Sequence, residues 1–195
     1  MKKILIAVMI AVLSVPLFVQ FAKSDNDHAD EEHNDDDRWE MSRVFERTAD
    51  VAPVTNTVYT DECAGCHMAY PPGLLPSRSW EKLMGQLDDH FGDNAELDAE
   101  TAAELERYLV EHSAETSAYR RSAKITRSLA HEQIPLRITE IPYIRHEHDE
   151  IPDRLITGNA EVGSLSRCES CHRRAVQGSF SENDIRIPGF GKWDD

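Results

Sequence analysis

Cys63-Ala64-Gly65-Cys66-His67 and Cys168-Glu169-Ser170-Cys171-His172 are two copies of one pattern, and together they hold all four cysteines of the 195-residue chain. C-x-x-C-H is the spacing that attaches a c-type haem. Two thiols three positions apart can add to the two vinyl groups of one porphyrin. The next residue then places an imidazole over the iron as proximal ligand. Two rival uses of the cysteines fit less well. A thioredoxin-like pair sits near a strand–turn–helix pattern and needs no histidine after it. A zinc ribbon could use four thiolates, but its C-x-x-C pairs are ordinarily about 15–20 residues apart, and here 101 residues separate them. The sequence therefore predicts two covalently bound haem c groups on Cys63, Cys66, Cys168 and Cys171, with His67 and His172 as proximal ligands. Every thiol is then consumed in a thioether bond, and none remains for a disulfide.

Composition agrees with large buried prosthetic groups. Aromatic residues make up only 7% of the chain, and the C-terminal half is poor in large aliphatics, so an ordinary apolar core would be thin. The formal net charge is −15, a sign that argues against a nucleic-acid partner. Residues 25–40 alone hold nine acidic groups and one arginine. With no apolar periodicity, that stretch reads as a solvated, disordered spacer.

Ahead of the spacer, Lys2 and Lys3 precede an apolar run from Ile4 to Phe18, interrupted only by Ser14 and Pro16. This is the pattern of an export signal. The run also approaches the roughly 20 residues that span a bilayer, so the alternative is a retained anchor. Either way the remainder is expected outside the cytoplasm, in the periplasm, with membrane contact only through that segment and only if it is retained.

The organisation read from the chain is residues 1–22 as export signal or anchor and 23–54 as acidic spacer and N-terminal segment. A first haem module follows over 55–128 and a second over 129–195. Residues 39–49 give weak evidence of an amphipathic helix. Trp80, Leu83, Met84, Leu87 and Phe91 share helical spacing, which predicts a helix from Trp80 to Phe91 with Ser79 as N-cap, Gly92 just past its end and His90 on its apolar face. A second helix is expected from Ala99 to about Ser113, capped by Asp98, with Ala102, Leu105, Tyr108, Leu109 and His112 facing inward. A third is expected from Glu115 to Leu129; Arg120, Arg121, Lys124 and Arg127 on it read chiefly as a solvated face, with a docking patch or haem propionates as the other use. Beyond residue 131, Ile-Pro recurs at 134–135, 141–142, 151–152 and 187–188, which predicts extended segments, turns and short helices. The expected fold class is mainly α: a small cytochrome c-like helical haem module, then a loop-rich second haem module with little regular secondary structure.

The sixth iron ligand separates an electron carrier from a catalyst. Past the apolar run the chain has only Met41, Met68 and Met84. Met68 adjoins His67 and cannot cross to the opposite haem face, and Met84 reads as packing. Histidines are plentiful, which favours bis-histidine iron. His90 is the best candidate for the first haem, with His112 as competitor. For the second, His131, His146 and His148 are open; in an extended segment His146 and His148 would point to opposite sides.

The sequence resembles the bacterial dihaem cytochrome c family called DHC over roughly residues 55–190. The residues that carry this are Tyr59 with the first haem motif, Ala69-Tyr70-Pro71-Pro72-Gly73-Leu74-Leu75-Pro76, Ser79-Trp80, Met84, Leu87 and His90-Phe91-Gly92. Later come Tyr108-Leu109, Ser122 to Leu129, Pro135 to Thr139, Pro142-Tyr143, His148-Asp149-Glu150-Ile151-Pro152, Gly178-Ser179-Phe180 and Ile185 to Pro188. The resemblance implies two bis-histidine haems, with His90 and His148 as distal ligands and His112 and His146 as bystanders. It also implies electron transfer without enzyme activity, to a small oxygen-binding monohaem cytochrome c and in some cases with a membrane cytochrome b. The alternative reading is a haem enzyme or gas sensor with one open iron.

Overall fold

The computed structural model describes residues 49–193. The export segment, the acidic spacer and all but the last residue of the weak 39–49 helix lie outside them.

The first helix, α1 (Thr57–Cys63), starts where the Asn56 side chain accepts a hydrogen bond from the Tyr59 amide at 2.9 Å and ends on the first haem cysteine. A 3₁₀ turn at Pro72–Leu74 follows, then α2 (Ser77–Met84). Trp80 and Leu83 bury the inner face of α2, and the Trp80 indole N–H donates to the Pro72 carbonyl at 2.8 Å. The Glu115 carboxylate accepts from the Ser77 amide at 3.0 Å, at the end of α2 where an anion is favoured.

The long helix expected from Trp80 to Phe91 is shorter and earlier. It begins at Ser77 after Pro76, stops at Met84, and ends on the Gly85 N–H bonded to the Glu81 carbonyl. Leu87–Asp89 forms a separate 3₁₀ turn, and His90 follows it in a tight loop. The apolar spacing runs on through Leu87 and Phe91, but Gly85 lacks the side chain and the helical preference to carry the helix across.

Helix α3 (Ala99–Glu111) matches its expected start. Asp98 Oδ1 accepts from the amides of Glu100 and Thr101, the capping role expected of it. Leu105 and Leu109 are fully buried, whereas His112, expected to face inward, is exposed at the end of the helix. Helix α4 (Arg120–Ser128) begins five residues later than expected, and Glu115 instead caps the start of α2.

The rest is loop-rich, as the prolines predicted. Among the described residues it holds α5 (Pro142–His146) with Pro142 in its first turn, α6 (Cys168–Cys171), four 3₁₀ turns, and a two-residue antiparallel pair, β1 (Arg186–Ile187) and β2 (Gly191–Lys192). The main core gathers Val51, Tyr59, Leu74, Leu105, Leu109, Ile125 and Ile141, each at most 2% exposed. A smaller cluster of Ile156, Val162 and Ile187 lies by the second cysteine motif. Gly73 is required where the Pro72–Leu74 turn meets α4, because an added Cβ would come within 2.7 Å of the Ser122 hydroxyl.

Residues 49–53 form a strap. The amides of Asp50 and Val51 both donate to the Gly178 carbonyl, at 2.7 and 3.1 Å. The Asp50 carboxylate accepts from the Phe180 amide at 2.6 Å. Gly178 has φ +77°, and a Cβ there would collide with the Val51 carbonyl oxygen.

Candidate functional site

Each cysteine motif brings a second histidine with it. The rings of His67 and His90 have centroids 6.3 Å apart, and those of His148 and His172 are 6.1 Å apart. Metal–imidazole bonds are about 2 Å long, so a metal held between two imidazole nitrogens sets ring centres about 6 Å apart. Both pairs fit that span.

Hydrogen bonding prepares one ring of each pair. His67 Nδ1 lies 2.7 Å from the Met68 carbonyl oxygen, and His148 Nδ1 lies 2.7 Å from that of Ile144. A carbonyl only accepts, so each Nδ1 carries the proton and Nε2 keeps its lone pair for a metal. In the partner rings, His90 Nδ1 and His172 Nδ1 are buried and find no partner among the described residues. Burial and the other histidine of its pair hold the His90 pKa below its ordinary value, against an opposing pull from Asp93. Burial, then His148 and Arg121, push His172 down to about 4. Both rings are thus favoured in the neutral form that can bind iron.

The cysteines argue against the rival chemistries. Burial, aided by Glu62, pushes the Cys63 thiol up to about 11. Burial, then Glu169, pushes Cys168 up to about 12, and burial also raises Cys171. A redox C-x-x-C pair needs the opposite shift. Among the described residues no three His, Cys, Asp or Glu side chains converge as they would around a metal ion.

At the first site, Cys63 closes α1, Cys66 is exposed, and the Tyr70 ring stacks on His67 at 4.8 Å. His90 is presented by a loop rather than by a helix face. Its amide and carbonyl bridge to Asp93, and Phe91 adopts φ +60°, a left-handed conformation rare for a bulky residue. Phe91 meets the His90 ring edge-on at 4.9 Å and carries the Arg137 guanidinium 4.0 Å from its ring centre. Met84 packs against the core.

At the second site, Cys168, Cys171, His172 and His148 line one cavity together with Arg121 and Phe180. His146 is the last residue of α5 and His148 lies in the turn after it, not in an extended segment. His146 points outward to Asp149 at 3.3 Å, and its side chain is 80% exposed. His131 is 96% exposed beside Glu132. His112 lies exposed with its ring tilted against that of Tyr108, 4.6 Å between centres.

Three contributors were not singled out by spacing. Arg120, Lys124 and Arg127 are exposed, as a solvated face requires, but Arg121 turns inward. It donates to the Tyr143 hydroxyl at 3.0 Å and the Phe180 carbonyl at 3.2 Å, between the carboxylates of Glu147 and Asp50 at 3.8 and 3.9 Å. Phe180 packs against His172 at 5.4 Å. Tyr70 reaches beyond the first site, and its hydroxyl donates to the Ser166 carbonyl at 2.6 Å.

A mainly helical chain with two C-x-x-C-H motifs, each facing a second imidazole, defines a dihaem c-type protein. Residues 59–180 match the model of the dihaem cytochrome c family, and the chain belongs to that family. Among solved structures it is similar to the diheme cytochrome type c from Shewanella baltica OS155, at 43% identity and a TM-score of 0.60, over 71% of this chain and 98% of that one. It is also similar to the diheme cytochrome c from Rhodobacter sphaeroides, at 40% identity and a TM-score of 0.60, over 67% of this chain and all of that one. No curated protein matches the chain. Membership brings two covalently bound haem c groups and a role in electron transfer.

Proposed function

We propose that this protein is a periplasmic electron carrier whose two irons are both closed by histidine pairs, His67 with His90 and His172 with His148. The observation that carries the reading is the repeated pairing of imidazoles across about 6 Å, once at each cysteine motif. Cys63, Cys66, Cys168 and Cys171 would hold the haems. The haems supply one-electron chemistry, and the protein supplies axial ligands, burial and nearby charge that set the potentials.

His67 with His90 and His148 with His172 would leave no open position at either iron for a substrate, and the haems would supply one-electron transfer alone. Bis-histidine ligation and the acidic excess of the chain, −15 formal charges, both favour the ferric state, so both potentials are low. The export pattern of Lys2, Lys3 and Ile4–Phe18 supports the periplasm. A small oxygen-binding monohaem cytochrome c is the proposed acceptor, and a membrane cytochrome b is a further candidate partner.

Carbon monoxide tests the closed irons. The dithionite-reduced protein should bind none at stoichiometric level, and the oxidised protein should lack the near-infrared sulfur–iron band. Stoichiometric binding at either haem would instead support an enzyme or gas sensor. Cell fractionation followed by a pull-down of redox partners tests the location and the acceptor.

A further inference from the structure

The two haem sites are 101 residues apart in sequence, yet one side chain reaches from the first to the loop that leads into the second. The Tyr70 ring lies 4.8 Å from the His67 ring with an interplanar angle of 26°, a stacked contact on the first site's proximal imidazole. Its hydroxyl donates to the Ser166 carbonyl at 2.6 Å. That same carbonyl oxygen lies 3.6 Å from the sulfur of Cys168, a haem attachment atom of the second site. Neighbours hold the phenol in place. The Tyr70 carbonyl accepts from the Tyr59 hydroxyl at 2.9 Å, and Pro71 and Pro72 behind it are fully buried. Ser164 and Ser166 hydroxyls join at 2.9 Å and steady the acceptor loop.

From this geometry we propose that Tyr70 is a positioning residue for internal electron exchange: its stacked ring and its hydrogen bond form a continuous contact from His67 to the backbone beside Cys168. One electron leaves one iron, which passes from ferrous to ferric, and reduces the other from ferric to ferrous. Tyr70 keeps its proton and is not itself oxidised. Its hydroxyl is fixed as the donor, because the Ser166 carbonyl oxygen can only accept. The inference rests on the electron-carrier reading above.

The test compares wild type, Tyr70→Phe and Tyr70→Leu as holoproteins with full haem content. Tyr70→Phe keeps the stacked ring and removes only the hydrogen bond; Tyr70→Leu removes both. Flash reduction by a photoexcited flavin, followed at wavelengths that separate the two haems, reads the exchange rate. Redox titration of the same samples reads both potentials. Exchange should slow several-fold in Tyr70→Phe and further in Tyr70→Leu, with potentials that do not account for the loss. Hydrogen exchange at the amides of residues 166–168 should also quicken in Tyr70→Phe.

A strut that only ties two loops together would change amide protection and leave the electron rate alone. A wild-type rate in Tyr70→Phe, or unchanged protection at residues 166–168, overturns the proposal. Tyr70→Phe decides the matter even if Tyr70→Leu fails to load haem. Failure of the carrier reading itself would show separately, as carbon monoxide binding to the wild-type protein.

Discussion

Replacing Gly178 by alanine should release the N-terminal strap and loosen the second site. Gly178 sits at φ +77°, and its carbonyl takes the amides of both Asp50 and Val51. A side chain there meets two penalties. The left-handed backbone costs a residue with a Cβ about 1–2 kcal/mol. The Cβ also runs into the Val51 carbonyl, a backbone atom that yields only if the strap moves. Val51 is fully buried, and exposing a valine side chain costs about 1.5–3 kcal/mol. Together these amount to about 3–5 kcal/mol, a large part of the roughly 5–15 kcal/mol that holds a typical domain folded. For a chain of this size that lowers Tm by roughly 10 °C.

Gly189→Ala is the control, because Gly189 has φ +72° but nothing within 4 Å of an added Cβ. It should show the backbone penalty alone and a shift of only a few degrees. Thermal unfolding by circular dichroism reads the shift, and hydrogen exchange over residues 49–53 reads the strap. Equal melting of the two variants, with Asp50 and Val51 still protected, would refute the reasoning.

Further expectations follow from the sites. His90→Ala and His148→Ala should each convert one haem to a high-spin, carbon-monoxide-binding form, while His112→Ala and His146→Ala leave both low-spin; optical spectra decide. Arg121→Met should lower the second haem's potential and leave the first in place. Its guanidinium carbon lies 5.7 Å from the Phe180 ring centre, and that ring is 5.4 Å from His172. Those two legs set about 11 Å as the longest the Arg121–His172 separation can be, and a unit charge at that distance and an effective dielectric of about 20 is worth about 1.5 kcal/mol, so a fall on the order of 60 mV for one electron is expected; a rise in a redox titration would contradict it. Stability should decline as pH rises between about 10 and 12. Burial raises Tyr59 well above its usual value and pushes Tyr70 and Tyr143 up to about 12. The folded state therefore holds these phenol protons more tightly than the unfolded chain, and that advantage disappears as pH rises through the folded values. Melting temperatures across that range check the decline, and an unchanged value at pH 12 would show that these phenols are not buried as described.

What the sequence disclosed was what its neighbours determine. C-x-x-C-H is legible because its chemistry closes within five residues, and Asp98 is legible as a cap because its partners are two and three positions away. The helix placed over Trp80–Phe91 shows where periodicity misleads. Apolar spacing continued across Gly85 although the backbone did not, so His90 reaches His67 from a strained loop and not from a helix face. His148 was named by resemblance; spacing left it level with His131 and His146, since only tertiary packing turns it toward His172. Tyr70 to Ser166 and Asp50 to Phe180 span 96 and 130 positions. Contacts of that range leave no local pattern. Arg121 looked like its exposed neighbours because a basic run does not reveal which member faces a cavity.

The most direct test of two closed irons is the low-temperature electron paramagnetic resonance spectrum of the fully oxidised protein. The account predicts that all of the iron appears as low-spin ferric haem. It also predicts two distinct signals, because the His67 and His90 rings lie at 31° to each other whereas the His148 and His172 rings lie at 73°. An axial high-spin ferric signal accounting for one haem per chain would contradict it.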